Sequence, residues 1–269
     1  GKPHAVHNGS LGASSDYLLF IDADVRLLPT AVSQAVALAE SKHAGLTTLM
    51  PELVNDSFWE CATQPVVGML LWGLLDPVKV NDPNRGEACG FGPFMLFRRD
   101  AYEQIGGHEA VRREVIEDLR LAQLVKQHQL GLCVAHGTSV VKLRMYDSLS
   151  SLIAGWIKNF YIALGPVKAL APLLAAVVAL VFALPTVAFW TALGLGLWHG
   201  KLPDFALAAT LCYGADWLAR LSLQSTYDVH VRGVRALGGL VVAYILCASV
   251  YRAAVGRPVT WRGRSYQAQ

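Results

Sequence analysis

Tyr17-Leu18-Leu19-Phe20-Ile21-Asp22-Ala23-Asp24 is the stretch that decides the fold class. Its apolar run reads as a buried parallel strand, with two carboxylates placed at the strand's carboxyl end. Open α/β sheets bind their ligands at that end. An extended backbone would point Asp22 and Asp24 the same way. A hard divalent cation takes oxygen ligands and keeps phosphate oxygens and water for the rest of its shell, so the pair suits a metal-bridged diphosphate. The plain alternative is a loop with two solvated acids.

Outward from this strand, Leu28-Pro29-Thr30 opens a helical stretch to about Lys42, with Pro near the first turn. Gly45 to Leu53 predicts a second strand. Glu87 to Gly107 is glycine-rich around a small strand at Phe94 to Phe97. Glu117 to His128 has helical periodicity, and Leu132 to His136 and Val140 to Arg144 predict further strands. Strands alternating with helices indicate an α/β layered domain.

The chain has 269 residues, 54% apolar and only 16% charged, with net charge +3. The composition excludes a disordered tail and argues against an ordinary soluble enzyme throughout. The net charge is too mild for a nucleic-acid partner. Its distribution is uneven: residues 1–168 carry −2, and residues 201–269 carry +5. The five cysteines are far apart, with no CxxC pair, so neither a zinc site nor a disulfide framework is expected.

After Ser148 the texture changes. Ser151 to Leu164 is amphipathic and aromatic, and it reads as an interfacial helix anchored by Trp156 and Tyr161. Ala169 to Trp198 is uncharged and, at ~1.5 Å per residue, longer than a ~30 Å hydrocarbon core. It predicts one tilted span or a tight pair broken near Pro185. Phe205 to Leu223, with Asp216 and Arg220, and Ala236 to Tyr251 are two further apolar stretches. Arg252, Arg257, Arg262 and Arg264 put the tail in the cytosol by the positive-inside rule. A catalytic half on the same side requires an even number of spans, against the three stretches that hydropathy offers.

Glu117-Asp118 opens a predicted helix, where the helix dipole alone would favour acids. One of these carboxylates could also accept a proton from an attacking hydroxyl. His108 follows Gly106-Gly107 and reads as an exposed loop histidine, with a substrate contact as the alternative. Cys61 and Cys89 read as ordinary thiols. Asp216 and Arg220, four apart, can pair on one helix face.

Taken in order, these features resemble the family 2 glycosyltransferases. The segment Gly1-Lys2-Pro3-His4-Ala5-Val6-His7-Asn8-Gly9 is similar to that family's opening. Asp22-Ala23-Asp24 matches its DxD motif, Gly90-Phe91-Gly92-Pro93 its glycine loop, Gly106-Gly107 its GG turn and Glu117-Asp118 its ED motif. Gly155-Trp156-Ile157-Lys158-Asn159 and Trp261-Arg262-Gly263-Arg264-Ser265-Tyr266 resemble the ending of membrane-bound members related to ceramide, hopanoid and carotenoid glucosyltransferases.

The resemblance implies an α/β, GT-A-like (Rossmann-like) nucleotide-sugar domain over 1–148. An amphipathic interfacial helix over 149–166 would follow, then transmembrane helices over 167–256 and a basic tail over 257–269. It implies a single hexosyl transfer from a nucleotide-sugar, with a UDP-sugar as first expectation, to a lipid acceptor at the cytosolic face of the cell (inner) membrane. Asp24 and Asp22 would hold Mn²⁺ or Mg²⁺, and Asp118, with Glu117 beside it, would be the general base. Lys2, Asn8, Asp22, Gly90, Gly92, Trp156 and Lys158 would bind the donor.

Two departures bear on this. The family's first strand and its nucleotide-contacting acid would precede residue 1, so the chain is expected to be N-terminally incomplete. The QxxRW motif of processive synthases is absent, and Lys158 stands as a point charge where an arginine fork would be. The alternatives are a processive polysaccharide synthase and a non-catalytic membrane subunit that keeps the fold.

Overall fold

A computed structural model describes residues 2–74, 76–112, 114, 116–163, 171–182, 184–200, 206, 210, 214, 235–261 and 264–266. In chain order the elements are α1 (Lys2–Leu11), β1 (Tyr17–Ile21), β2 (Val25–Leu27), α2 (Ala31–Ser41), β3 (Leu46–Met50), β4 (Glu52–Leu53) and α3 (Phe58–Leu74). They continue as α4 (Pro77–Asn81), β5 (Phe94–Arg98), α5 (Arg99–Gln104), α6 (Gly107–Ala110), α7 (Glu117–Gln127), β6 (Leu132–His136) and β7 (Val141–Leu143). The last are α8 (Leu149–Ala163), α9 (Ala171–Phe182), α10 (Leu184–Trp198), α11 (Arg235–Ala254), β8 (Val259–Trp261) and β9 (Arg264–Tyr266). Two compact units divide the chain: Gly1–Val54 with Trp72–Met145, and Asn55–Leu71 with Tyr146–Gln269. The second unit thus takes residues 55–71 from within the span expected as a single catalytic domain.

The first unit is built on a mixed sheet of order β1-β5-β3-β6. β5 runs antiparallel to both β1 and β3, and β3 is parallel to β6, so β1, β3 and β6 share one direction. Expected as a buried parallel strand, β1 is instead an edge strand among the described residues, half-buried and hydrogen-bonded only to an antiparallel neighbour. The opposite edge is covered. The Asn81 side chain donates to the Val134 carbonyl at 2.9 Å and accepts from its N–H at 2.7 Å, which blunts β6 as a template for further pairing.

Alternation along the strands sorts the core into two layers. Leu18, Met95, Phe97, Leu132 and Val134 point to one face, where α5 and α7 supply Tyr102, Leu121, Ala122 and Val125. Phe94, Leu96 and Leu49 point to the other, where α2 presents Ala31, Ala35 and Ala39 at a spacing of four along one helix face. The predicted second strand breaks at Pro51 into β3, in the main sheet, and β4, which joins β2 and β7 in a three-stranded sheet.

The second unit is mainly helical, with the antiparallel β8–β9 pair near its end. Ser57 and Glu60 form a capping box at the start of α3: Glu60 Oε2 accepts from the Ser57 N–H at 2.7 Å, and Ser57 Oγ from the Glu60 N–H at 3.3 Å. On α8, Trp156 and Tyr161 are 4% and 3% exposed. The indole N–H of Trp156 donates to Gln64 of α3 at 2.9 Å. The two expected interface anchors therefore lie inside the protein, and the indole N–H finds its hydrogen-bond partner there.

Within the uncharged run from Ala169 to Trp198 the described residues form α9, Ala171–Phe182, and α10, Leu184–Trp198. Among the described residues one helix, at Ala236–Ala254, is long and apolar enough to cross a membrane. Asp216, Arg220, Arg262 and Gly263 lie outside the described residues, as does most of the Phe205 to Leu223 stretch.

Candidate active site

The register of the first sheet brings the motifs together. Ile21, the last residue of β1, pairs with Phe94, the first of β5. Asp22 therefore leaves the sheet beside the point where the glycine loop Gly90–Pro93 enters it. The backbone after Ile21 is not extended: the Val25 N–H donates to the Asp22 carbonyl at 3.2 Å and closes a turn. The turn replaces the extended backbone from which a same-side placement of the two carboxylates is expected. Asp22 is half-buried and Asp24 exposed.

Thr48 of β3, fully buried, anchors the glycine loop. Its hydroxyl accepts from the Phe91 N–H at 2.8 Å and donates to the Phe94 carbonyl at 3.0 Å. The Gly92 N–H then donates to Asp118 Oδ2 at 2.9 Å, and the Leu119 N–H to Asp118 Oδ1 at 2.8 Å. Bonds from two amides to one carboxylate fix its orientation. Gly90 is needed for this approach, because a Cβ there would press on the Asp118 carbonyl, with the carbonyl carbon at 2.8 Å. Lys126, also on α7, holds the preceding segment through the carbonyls of Asp82 and Arg85 at 2.5 and 3.2 Å.

A cleft of about 420 Å³ opens against the sheet, lined among others by Ser10, Phe20, Gly92, Met95, His108 and Glu117. Of the acid pair, Glu117 faces this cleft while Asp118 is held by the glycine loop. The Gly106-Gly107 turn has φ of 76° and 54°, values that an L side chain rarely adopts. A Cβ on Gly107 would also strike the Tyr102 ring at 2.6 Å. The turn delivers His108, which the sequence places on an exposed loop, into a buried position at 2% exposure. Its Nδ1 lies 2.8 Å from the Tyr102 hydroxyl, which accepts the His108 N–H at 3.0 Å. Phe20 packs edge-on against the imidazole. A histidine with an aromatic cage and a phenol partner buries readily, and neither signal stands out in a local motif.

The expected donor-binding residues divide. Gly90 and Gly92 shape the loop. Asn8 is exposed on α1 and bonded to His4 at 3.1 Å, while Val6, Gly9 and Ser10 of the same helix line the cleft. The Lys2 side chain lies outside the described residues. Trp156 is buried and Lys158 half-buried on α8 of the second unit. Among the described residues no three His, Cys, Asp or Glu side chains gather as a metal site. Asp22 and Asp24 are two hard oxygen donors at the mouth of a sheet, a set that fits a divalent cation completed by phosphate and water. Cys89, next to the loop, has its thiol pushed up to about 12 by burial and by the Asp118 charge, which leaves it protonated and unreactive.

The family model described as Glycosyl transferase family 21 matches residues 2–269. Among curated relatives, the 4,4'-diaponeurosporenoate glycosyltransferase of Staphylococcus aureus strain USA300 is 30% identical over 179 residues, covering 62% of this chain and 45% of the relative. Its counterpart in strain MRSA252 is 29% identical over 176 residues with the same coverage. The chain spans about half the length of these curated relatives. Among solved structures, the mannosyltransferase PcManGT from Pyrobaculum calidifontis in complex with GDP-Man and Mn²⁺ matches at 16% identity and a TM-score of 0.42, over 94% of this chain and 66% of that one.

Proposed function

Since the chain belongs to glycosyl transferase family 21, we propose that it transfers a sugar from a nucleotide-sugar donor to an apolar lipid acceptor at a membrane surface. The observation that carries this reading is the bond from the Gly92 N–H to Asp118 Oδ2. It ties the ED motif to the glycine loop, at the sheet end where Asp22 and Asp24 emerge. The S. aureus relative is named for action on diaponeurosporenoate, and a lipid acceptor of that kind is proposed here.

In this mechanism Asp118 takes the proton of the acceptor hydroxyl as its oxygen attacks the anomeric carbon. The bond from that carbon to the donor phosphate breaks, and the nucleoside diphosphate leaves with the electron pair. A divalent cation, Mn²⁺ or Mg²⁺, held by Asp22 and Asp24 would offset the charge developing on the diphosphate. The Gly92 amide would hold the Asp118 carboxylate in place for this step, and Glu117 forms part of the cleft wall. The first unit would be a GT-A-like domain facing the cytosol at the cell (inner) membrane, with α11 and the apolar helices of the second unit attaching it there.

The test compares Asp118→Asn with Glu117→Gln in the full-length protein, following transfer from a labelled nucleotide-sugar. A general base supplies about 10²–10⁴-fold. Asp118→Asn should lower kcat by that much with little change in donor KM, and Glu117→Gln should fall far less. Near-normal kcat in Asp118→Asn, or a loss confined to donor KM, would sink the assignment.

A further inference from the structure

One face of α11 is packed and the opposite face is bare. Gly238, Val242, Ile245, Leu246 and Ser249 are buried within the second unit. Gly238 lies so close to the Ala62 carbonyl of α3 that no Cβ could fit. On the other side Leu237, Leu240, Tyr244 and Tyr251 are 45–59% exposed and Cys247 is exposed, which makes an apolar stripe at helical spacing along the whole element.

The stripe ends in a built turn. The Arg257 N–H bonds back to the Arg252 carbonyl at 2.9 Å and the Gly256 N–H to the Ala253 carbonyl at 3.4 Å, with Gly256 at φ 64°. These are the 6→1 and 5→2 bonds of a Schellman motif, with glycine in its left-handed position. The motif folds Arg257 back onto the turn that carries Arg252. A cleft of about 610 Å³ lies there, lined by Tyr244, Cys247, Ala248, Tyr251, Arg252 and Arg257 together with Pro258. Among the described residues no acid lines it, and no Asp or Glu occurs in the sequence after Asp228.

We propose that this cleft seats the headgroup of an anionic phospholipid, its phosphate between Arg252 and Arg257 and the start of an acyl chain against Tyr244, Cys247 and Ala248. The helix dipole explains one cation in a last turn, and two full positive charges exceed the half charge it presents. Depth selects a lipid over a free anion. Tyr244 lies eight residues before Arg252, about 12 Å along the axis, so the cleft runs from headgroup level into the hydrocarbon, and tyrosines suit that boundary. The site is separate from the transfer reaction and does not depend on it.

The full chain, purified in neutral-detergent micelles, is doped with phosphatidylglycerol or phosphatidylcholine, and retained lipid is counted by native mass spectrometry. Wild type should retain phosphatidylglycerol preferentially. Each arginine near such a surface contributes roughly fivefold, so R252Q/R257Q should lose the preference by on the order of twentyfold. In wild type, with no folding question, salt near 1 M should erase most of the preference by screening. Equal retention of both lipids, an unchanged preference in R252Q/R257Q, or a preference indifferent to salt would overturn the proposal. So would full displacement of phosphatidylglycerol by millimolar inorganic phosphate, the mark of a phosphate site without a lipid component.

Discussion

Replacing Gly90 by Ala probes the joint between the glycine loop and Asp118 without touching either carboxylate oxygen. The added methyl would lie 2.8 Å from the Asp118 carbonyl carbon, whereas carbons settle at about 3.5–4.0 Å. Backbone stands on both sides of the contact, so the loop or the start of α7 must yield by ~0.7 Å. That displacement would stretch the Gly92 N–H to Asp118 Oδ2 bond from its present 2.9 Å to ~3.6 Å, beyond hydrogen-bonding range. A bond to a charged group contributes about 1.5–3 kcal/mol, and misplacement of a reacting group by ~1 Å can cost ~10²-fold in rate. Gly90→Ala should therefore lower kcat by roughly 10–10²-fold with donor KM little changed, and should reduce unfolding stability by about 1–3 kcal/mol through overpacking. Steady-state transfer kinetics and denaturant unfolding on the same preparation measure both. Wild-type kcat alongside reduced stability would refute the link between loop position and catalysis.

Three further outcomes follow from other features. Asp24→Ala, at an exposed turn, should leave the unfolding midpoint unchanged and abolish transfer, and chelation by EDTA should do the same to wild type until Mn²⁺ is restored; full activity in chelator would remove the metal from the mechanism. Burial and the Asp118 charge raise the Cys89 thiol to about 12, above an unfolded value near 8.5, so the unfolded chain loses that proton first. Stability should be intact below about pH 8.5 and fall progressively toward pH 12, and the same slope in Cys89→Ala would rule the thiol out. Gly155→Ala would drive a methyl against the buried Tyr146 ring, whose Cζ lies 2.7 Å away, and should lower the second unit's stability by about 1–3 kcal/mol; an unchanged thermal midpoint would show that the ring gives way freely.

Much of the first unit is legible in the sequence, because its strands and helices announce themselves by local period. α2, α7 and β6 fall within three residues of where Leu28 to Lys42, Glu117 to His128 and Leu132 to His136 predict them. The direction of β5 is not legible, since strand polarity is set by the path between strands and not by residues within them. α3 is missed altogether, although Ser57-Phe58-Trp59-Glu60 carries a helix-start signature. At the site, the ED pair and the glycine loop are short motifs that can be read in line. Thr48 and His108 are not, because each acts through a partner distant in sequence or through a buried ring. Trp156 is legible as an aromatic on an amphipathic helix, but its burial depends on Gln64, 92 residues away.

The placement of residues 55–71 has a practical consequence for anyone dividing the protein. The chain passes from the first unit to the second, back, and across again, so no single cut separates them. A truncation after residue 148, the obvious route to a soluble catalytic half, would keep α3 and discard α8 and α11. The Gln64 amide would lose the Trp156 indole, and Ala62, now buried against Gly238 of α11, would lose that cover together with the rest of the helix face turned to the discarded helices. Such a fragment would be sticky by its wiring, whatever the solubility of the sheet it was cut to preserve.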